Sequence, residues 1–506
     1  MNKTLGIDLG TTFCAVSYIE NGNAVVIPNS FGNLSTPSVL WTDNDSIYAG
    51  EDAARKKQQI PANAIEYIKR EIGKPLGSDP GEYSKTIWGE KHASDELSAV
   101  LLYKLVQDAN KWLKQNKGFT TQDVIITVPA YFNDLQRHST KLAGELAGLN
   151  VKDIINEPTA AAISHSISQN NKSLIKVFDL GGGTFDTTLM QCYADGSIEV
   201  FISDGDYMLG GKNWDENLKE YIIDELKDNG VSESAFNFVA QQKILDIARA
   251  SKIELSSKEQ IIIKIPADVV GKEMSFNFTR QEFNLRSTVL LQQCKAKCNN
   301  VIEKAKRERN VLGWNDVDKF VLVGGSSRMP MIQNLVKTFY SGNIVTGDFD
   351  LAISKGAAFY SIHSDKVKDV SPKALGLAVR QNGNDKIYVM IERDKLLPVN
   401  FEQEFTAPEK TELRIVQGDE GQKGTLASVF DYKEIGRIKL NNSLKMQVKI
   451  NYKYSKGGML EVSAKDQSGN EKSYIVNPAL NNNGADDIQS KRNRVNQLVK
   501  KMKSLA

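Results

Sequence analysis

Two short stretches of the chain carry the same arrangement of reactive groups. In Leu5-Gly6-Ile7-Asp8-Leu9-Gly10-Thr11-Thr12-Phe13 an apolar run ends in one carboxylate, then a glycine and two hydroxyls. In Lys176-Val177-Phe178-Asp179-Leu180-Gly181-Gly182-Gly183-Thr184-Phe185-Asp186 the device returns with three glycines and one hydroxyl. Each reads as a β-hairpin whose tip offers backbone N–H groups, because glycine has no Cβ to hold a ligand away. A carboxylate beside such a tip suits Mg2+, a hard cation that bridges phosphate oxygens. Asp8, Asp179 and Glu157 of Asn156-Glu157-Pro158 are the candidate carboxylates for hydrated Mg2+, holding it through waters, and Glu157 is also a candidate to orient an attacking water. Thr11, Thr12 and Thr184, with Gly10 and the Gly181-Gly182-Gly183 backbone, are candidate donors to phosphate oxygens. Moving a phosphoryl group needs that charge neutralisation and a positioned water more than it needs covalent help. A third turn, Gly324-Gly325-Ser326, would let a nucleoside lie against backbone with Arg328 stacking on the base.

The elements that must position these groups alternate between strand and helix. Val124–Val128 is a short apolar strand of the kind buried in parallel sheets, and a helix over 134–147 leads to a second strand at 151–155. The Asp179 hairpin opens a second half with the same grammar, including helices over 213–228 and 239–255 and a long helix over 282–309. Two halves, each beginning with an Asp-Leu-Gly hairpin, imply a duplicated α/β fold whose paired tips pinch phosphates across a cleft between lobes. Beyond Phe359 comes a charged connector, Asp365 to Pro372, and then helical periods give way to alternating strands such as 446–452 and 459–465. That pattern predicts a β-sandwich. A last helix follows Gly484, with an apolar stripe through Ile488, Val495, Leu498, Met502 and Leu505 that is expected to pack on the sandwich.

Bulk properties narrow the function class. A chain of 506 residues exceeds one hydrophobic core. Lys+Arg 64 against Asp+Glu 62 gives a net charge of +2, which argues against a polyanion partner such as nucleic acid. Cys14, Cys192, Cys294 and Cys298 lack zinc-site spacing and read as reduced and structural, and the four histidines follow no ligand pattern. No apolar stretch is long enough to span a bilayer, and the chain enters its first strand without a signal-peptide core, so a cytoplasmic protein with no membrane partner is expected.

Five segments together resemble the DnaK-type seventy-kilodalton heat-shock chaperone family: 6–12, 126–134, 155–162, 179–186 and 323–330. The likeness runs in order from residue 3 to about residue 478. It implies a multidomain α/β plus all-β protein: an actin-like, ribonuclease-H-like duplicated ATPase domain over 1–364, a linker over 365–371, a peptide-binding β-sandwich over 372–480 and a short helical lid remnant over 481–506. It further implies ATP or ADP with Mg2+ and optionally K+, hydrolysis coupled to protein folding, clients that are unfolded or extended peptides, a J-domain co-chaperone, a nucleotide exchange factor and a monomeric state. By the same likeness Lys69 is the catalytic lysine near the γ-phosphate. Phe13 joins the nucleotide site, Lys252 and Ser256 line adenine and ribose, and Asp350 belongs to the final adenosine-cleft element. Leu377, Val379, Phe405 and Leu413 are candidates for the peptide pocket, against a sandwich-core reading of equal weight. Several positions depart from the family pattern. Arg249 and Lys212 replace usual acids, and a cation cannot accept a ribose hydroxyl bond. Thr411 and Arg380 replace apolar groove residues. Lys366-Val367-Lys368 interrupts a leucine-rich linker, and about twenty residues after Gly484 are too few for a full helical lid at roughly 1.5 Å per residue. Two rival readings are a nucleotide-gated, client-specific binder with little turnover and a kinase of the actin and sugar-kinase superfold.

Overall fold

The computed structural model describes residues 3–166, 171–381, 384–409, 411–440, 444–467, 469–475 and 485–505. The expected boundary between sandwich and lid remnant, at 480/481, lies outside the described residues.

The first lobe is built on a sheet whose strands lie in the spatial order Asn150–Asn156, Asp123–Val128, Leu5–Asp8, Phe13–Glu20, Asn23–Ile27. The first three run parallel and the last two antiparallel. The second lobe repeats this order with Asn343–Val345, Lys319–Val323, Ser173–Leu180, Phe185–Cys192 and Ile198–Asp206, again three parallel and two antiparallel. Every residue of Leu5–Asp8 and of Ser173–Leu180 is buried, which explains their largely apolar character, broken by Asp8 in the first and by Ser173, Lys176 and Asp179 in the second. Between the sheets the helices Glu157–Ser166 and Ala352–His363 pack together almost backbone to backbone. A Cβ at Gly356 would sit 1.7 Å from the Ala160 carbonyl oxygen, so only glycine fits that crossing. The long helix expected over 282–309 is divided instead. Arg280–Arg286 and Thr288–Glu308 meet at Ser287, whose hydroxyl donates to the Phe283 carbonyl at 2.7 Å and so competes with the helical ladder.

The β-sandwich stacks a sheet ordered Leu426–Ala427, Asn384–Ile391, Ala374–Gln381, Glu412–Gly418, Tyr432–Lys439 on one ordered Val399–Ala407, Met446–Tyr454, Leu460–Asp466, Glu471–Ile475. All neighbours are antiparallel. Its core joins Leu375, Met390, Ile415, Ile450, Tyr452 and Val462. Leu377 and Leu413 lie within that core, while Val379 and Phe405 are half-buried at its edge, with the Tyr388 ring edge-on to Phe405 at 5.2 Å.

The linker is anchored on the head. Val367–Lys368 adds a parallel edge strand to Ile198–Asp206, and Val367 and Val370 are buried in the core the two lobes share with Ile198 and Val200. The sandwich then seats directly on the head. Tyr454 donates to Asp134 at 2.9 Å, the Asp134 N–H donates to Gln417 at 3.3 Å, Arg393 donates to the Ser203 carbonyl at 2.7 Å, and Lys304 pairs with Asp394.

The C-terminal helix, Ala485–Lys500, packs on the first lobe and not on the sandwich as its stripe was expected to do. Val495 and Leu498 are 1% exposed and join the core of helix Ser94–Lys117, and Lys491 and Arg494 reach the acids at that helix's start. An apolar stripe states what a helix must bury but not against which surface. Here the neighbouring cations select the lobe, and Leu505, at 49% exposed, falls outside the buried stripe.

Candidate functional site

The two hairpins bring their tips together across the cleft between the lobes. A Cβ at Gly182 would stand 2.3 Å from Thr12 Oγ1, and one at Gly183 would stand 2.3 Å from Thr11 Cγ2. Glycine is therefore required there by the approach of the opposite hairpin, independent of any ligand. Thr11 and Thr184 are buried, Thr12, Gly10, Gly181 and Gly182 are half-buried, and Phe13 stands 56% exposed at the rim.

Behind the tips lies a dense group of acids. Asp8, Glu157 and Asp179 are all buried, Asp8 accepts from Thr127 at 3.4 Å, and Lys69 makes a buried ion pair with Glu157. Burial, reinforced by the charge of Glu157, pushes the Asp8 carboxyl up to about 7. The same causes, with Asp8 itself added, hold Asp179 well above the ordinary carboxylate range. Burial alone would lower Lys69, yet the Glu157 and Asp8 carboxylates raise it, so the ammonium is retained. With one lysine among these acids, ionising all of them together is costly, and a divalent cation would relieve that cost. Among the described residues no three His, Cys, Asp or Glu side chains form a direct metal cage. The donors therefore fit a hydrated ion held through waters, the usual preference of Mg2+.

Four further residues belong to this site and were not singled out from the sequence. Asp186 accepts from the Ala130 N–H at 2.8 Å and leaves Oδ2 without a partner among the described residues, while burial and then Glu157 and Asp179 raise its carboxyl far above the usual range. The buried Tyr131 hydroxyl also lacks a partner among the described residues. Thr127 faces Asp8 as described, and Arg70 crosses from the first lobe to the second, donating to the Gly183 carbonyl at 2.7 Å and to Asn213 at 2.9 Å. Thr127 and Asp186 are polar residues in otherwise buried strands, which was the available signal for them, while Tyr131 follows such a strand and Arg70 follows Lys69 in the chain.

The far end of the cleft gathers the remaining candidates into two neighbouring sets. Gly324 and Gly325 border Asp179 and Asp350, for a Cβ at Gly324 would lie 2.5 Å from Asp179 Oδ1 and one at Gly325 would lie 3.1 Å from Asp350 Oδ1. Arg328 pairs with Asp350 and lies 4.9 Å over the Phe349 ring, so its guanidinium is presented flat at the rim. Ser326 stands against Gly211, where a Cβ would meet its Oγ at 2.3 Å and Lys252 Nζ at 3.1 Å. Lys252 pairs with Asp215 at 2.6 Å and donates to the Gly211 carbonyl at 3.0 Å, whereas the Ser256 hydroxyl turns back to its own helix at Lys252. Arg249 reaches across the lobes to pair with Glu66 at 3.3 Å and donate to the Tyr67 hydroxyl, and pairs within its own lobe with Asp215 at 3.6 Å. Lys212 lies 4.4 Å over the Tyr67 ring. The two positions where acids were expected thus build a cationic clasp around Tyr67 and Glu66.

A duplicated two-lobed head with acid-and-glycine loops facing one another, joined by a docked linker to a β-sandwich, defines a nucleotide-cleft chaperone architecture. The chain belongs to the Hsp70 protein family, whose family model matches residues 4–505. It is similar to the chaperone protein dnaK of Emiliania huxleyi, with 33% identity over 529 aligned residues that cover 97% of this chain and 81% of that protein. Family membership carries the coarse assignment: a nucleotide-binding chaperone whose clients are unfolded proteins.

Proposed function

We propose that the head binds ATP and ADP with Mg2+, hydrolyses ATP, and governs the binding of extended peptide segments by the sandwich. The observation that carries this reading is the abutment of Thr11 and Thr12 on Gly183 and Gly182, with Asp8, Glu157 and Asp179 directly behind. In this mechanism Thr11, Thr12, Thr184 and the glycine backbones hold the phosphate oxygens, and Lys69 supplies positive charge beside the γ-phosphate. Glu157, held by Lys69, orients the attacking water, and Asp8 and Asp179 grip the hydrated ion. Bound Mg2+ would neutralise charge on the transferring group, and the spare oxygen of Asp186 offers a second acceptor that fits K+ or water. Gly324, Gly325 and Ser326 lie against the nucleoside, with Arg328, Asp350, Lys252 and Ser256 around it and Phe13 at the mouth.

On the same reading the protein works as a monomer with a J-domain co-chaperone and an exchange factor. Extended peptide adds to the sandwich by main-chain bonds near Val379 and Phe405, the half-buried pair at the edge of its core. The test is steady-state ATP hydrolysis by the full chain with and without an unfolded peptide and a J-domain, beside Lys69→Ala. A Lys69→Ala rate equal to wild type would remove the lysine from the mechanism. A second reading, a gated binder with little turnover, draws support from the Arg249 clasp that ties the lobes together. Absence of stimulation by either partner would favour it. Hsp70 membership leaves the sugar-kinase reading without support.

A further inference from the structure

We propose that Lys212 is a positioning residue for Lys69, acting from the second lobe through the side chain of Tyr67. The backbone of Tyr67 sets the problem. Lys69 and Arg70 sit in a short 3-10 turn, Ile68–Glu71, and Tyr67 enters that turn in the left-handed conformation, with φ 59° and ψ 25°. Left-handed backbone is natural for glycine but costs free energy for a bulky side chain, so surrounding contacts must hold it. Three contacts do. The Arg70 N–H donates to the Tyr67 carbonyl at 2.9 Å and closes the turn. From the second lobe Arg249 donates to the Tyr67 hydroxyl and pairs with the neighbouring Glu66 at 3.3 Å. Lys212, also of the second lobe, lies 4.4 Å over the ring of the same tyrosine. An ammonium over an aromatic face is attracted by the ring's quadrupole, and more strongly where burial keeps water away, as it does around Tyr67.

The place of Lys212 in the fold gives that contact its meaning. The residue lies in the first turn of the helix Gly211–Asp228, directly against the glycine tip of the second lobe, and its own N–H donates to the Gly182 carbonyl at 2.7 Å. Lys212 therefore holds the tip with its backbone and, with its side chain, the turn of the opposite lobe that carries Lys69. Its ammonium makes no ion pair among the described residues, and Glu216, one turn along the helix, pairs instead with Lys219 at 3.1 Å. Burial and then the Arg70 guanidinium lower that ammonium below the ordinary lysine range, which leaves the Tyr67 face as its compensating contact. The Lys69 ammonium is held at its far end by the buried pair with Glu157. Gripped at its turn and paired at its tip, Lys69 is fixed relative to the loop Gly181–Thr184. That Lys69 acts on phosphate rests on the ATPase reading above, whereas the grip on its turn does not.

The test uses the full chain and two readouts. The first is amide exchange at Arg70 and Ile72 without nucleotide, since these N–H groups donate to the Tyr67 and Lys69 carbonyls. The second is single-turnover hydrolysis of bound ATP, measured beside the equilibrium affinity for ATP. Lys212→Met keeps the length of the side chain and removes its charge. It is expected to speed exchange at Arg70 about tenfold and to slow hydrolysis about tenfold, while ATP affinity stays within about twofold. Lys212→Arg keeps a cation over the ring and is expected to restore both readouts. In a Tyr67→Gly background, where glycine takes the left-handed backbone freely and offers no ring, Lys212→Met is expected to alter neither readout by more than about twofold. Unchanged exchange in Lys212→Met, or the same loss with Tyr67→Gly present, overturns the positioning role. A fall in ATP affinity in place of the hydrolysis rate also overturns it, because Lys212 would then be a direct nucleotide contact. If Lys69→Ala hydrolyses ATP as fast as wild type, the ATPase reading of Lys69 fails, and exchange without nucleotide still decides the grip.

Discussion

Asp134 sits where the head meets the sandwich, and its carboxyl makes docking sensitive to pH. The side chain is fully buried, Oδ2 accepts from Tyr454, and Oδ1 has no partner among the described residues. Burial raises the carboxyl to about 7, against a partial offset from the Tyr454 bond and from Arg137 and Lys373. The nearby His138 cannot supply a countercharge, because burial drops its imidazole to about 4. In the undocked state the carboxyl returns to the ordinary range and stays ionised from pH 6 to 8, so docking takes up a proton that it holds until about pH 7. Docking is accordingly favoured by acid and weakens as pH rises through 7. Between pH 6 and 8 the docking equilibrium falls about tenfold, or about 1.4 kcal/mol. A dye pair at the exposed positions Glu233 and Lys439 reads the separation of head and sandwich in each buffer. Asp134→Asn is expected to abolish the pH dependence and to dock more tightly than wild type at pH 8. A wild-type distance distribution unchanged across this range, or a pH dependence that survives Asp134→Asn, would refute the reasoning.

Three further outcomes follow from individual residues. Lys176 is fully buried in the central strand of the second lobe, its Nζ has no partner among the described residues, and burial lowers its ammonium to about 8. The folded state therefore bears a penalty that is full below pH 8 and fades as pH rises towards 10.5, so Lys176→Met should stabilise the head by about 3 kcal/mol at pH 7 and by little at pH 10.5. Thermal denaturation at the two pH values checks the sign. Gly182→Ala drives a methyl onto Thr12 Oγ1 and should lower ATP turnover at least about tenfold while leaving sandwich docking intact, with kinetics and the dye pair as paired readouts. Arg249→Ala removes the clasp to Glu66, Tyr67 and Asp215 and is expected to speed ADP release several-fold in a stopped-flow chase with unlabelled nucleotide, whereas an unchanged release rate would show that the clasp does not hold the lobes together.

The parts of this molecule legible in its sequence are those whose cause is local. The Asp8 and Asp179 hairpins could be read because a carboxylate, a glycine tip and flanking apolar strands lie within a dozen residues, and their duplication predicted the two-lobed head. The sandwich could be read from period-two alternation, as in Met446–Tyr454, where buried Val448, Ile450, Tyr452 and Tyr454 alternate with more exposed residues. What escaped depends on surfaces distant in sequence. Ile488, Val495 and Leu498 announced a buried stripe, but Asp95 and Glu96, almost four hundred residues earlier, decide where it lands. Arg249 and Lys212 read as lost acceptors because the new partners, Glu66 and Tyr67, stand on the other lobe. Asp134 opens the helix expected over 134–147, and nothing nearby in sequence foretells Tyr454. Lys366-Val367-Lys368 interrupts the leucine-rich linker pattern, yet Val367 and Val370 are buried while Lys368 is exposed, a placement set by the surface of the second lobe and not by the linker's own sequence.

The most direct test of the central claim is a crystal structure of the full chain grown with Mg2+ and a non-hydrolysable ATP analogue. The account predicts the phosphates between Gly10–Thr12 and Gly181–Thr184, with the metal's waters on Asp8 and Asp179 and Lys69 beside the terminal phosphate. A triphosphate bound elsewhere, or a cleft left empty at saturating analogue, would contradict it.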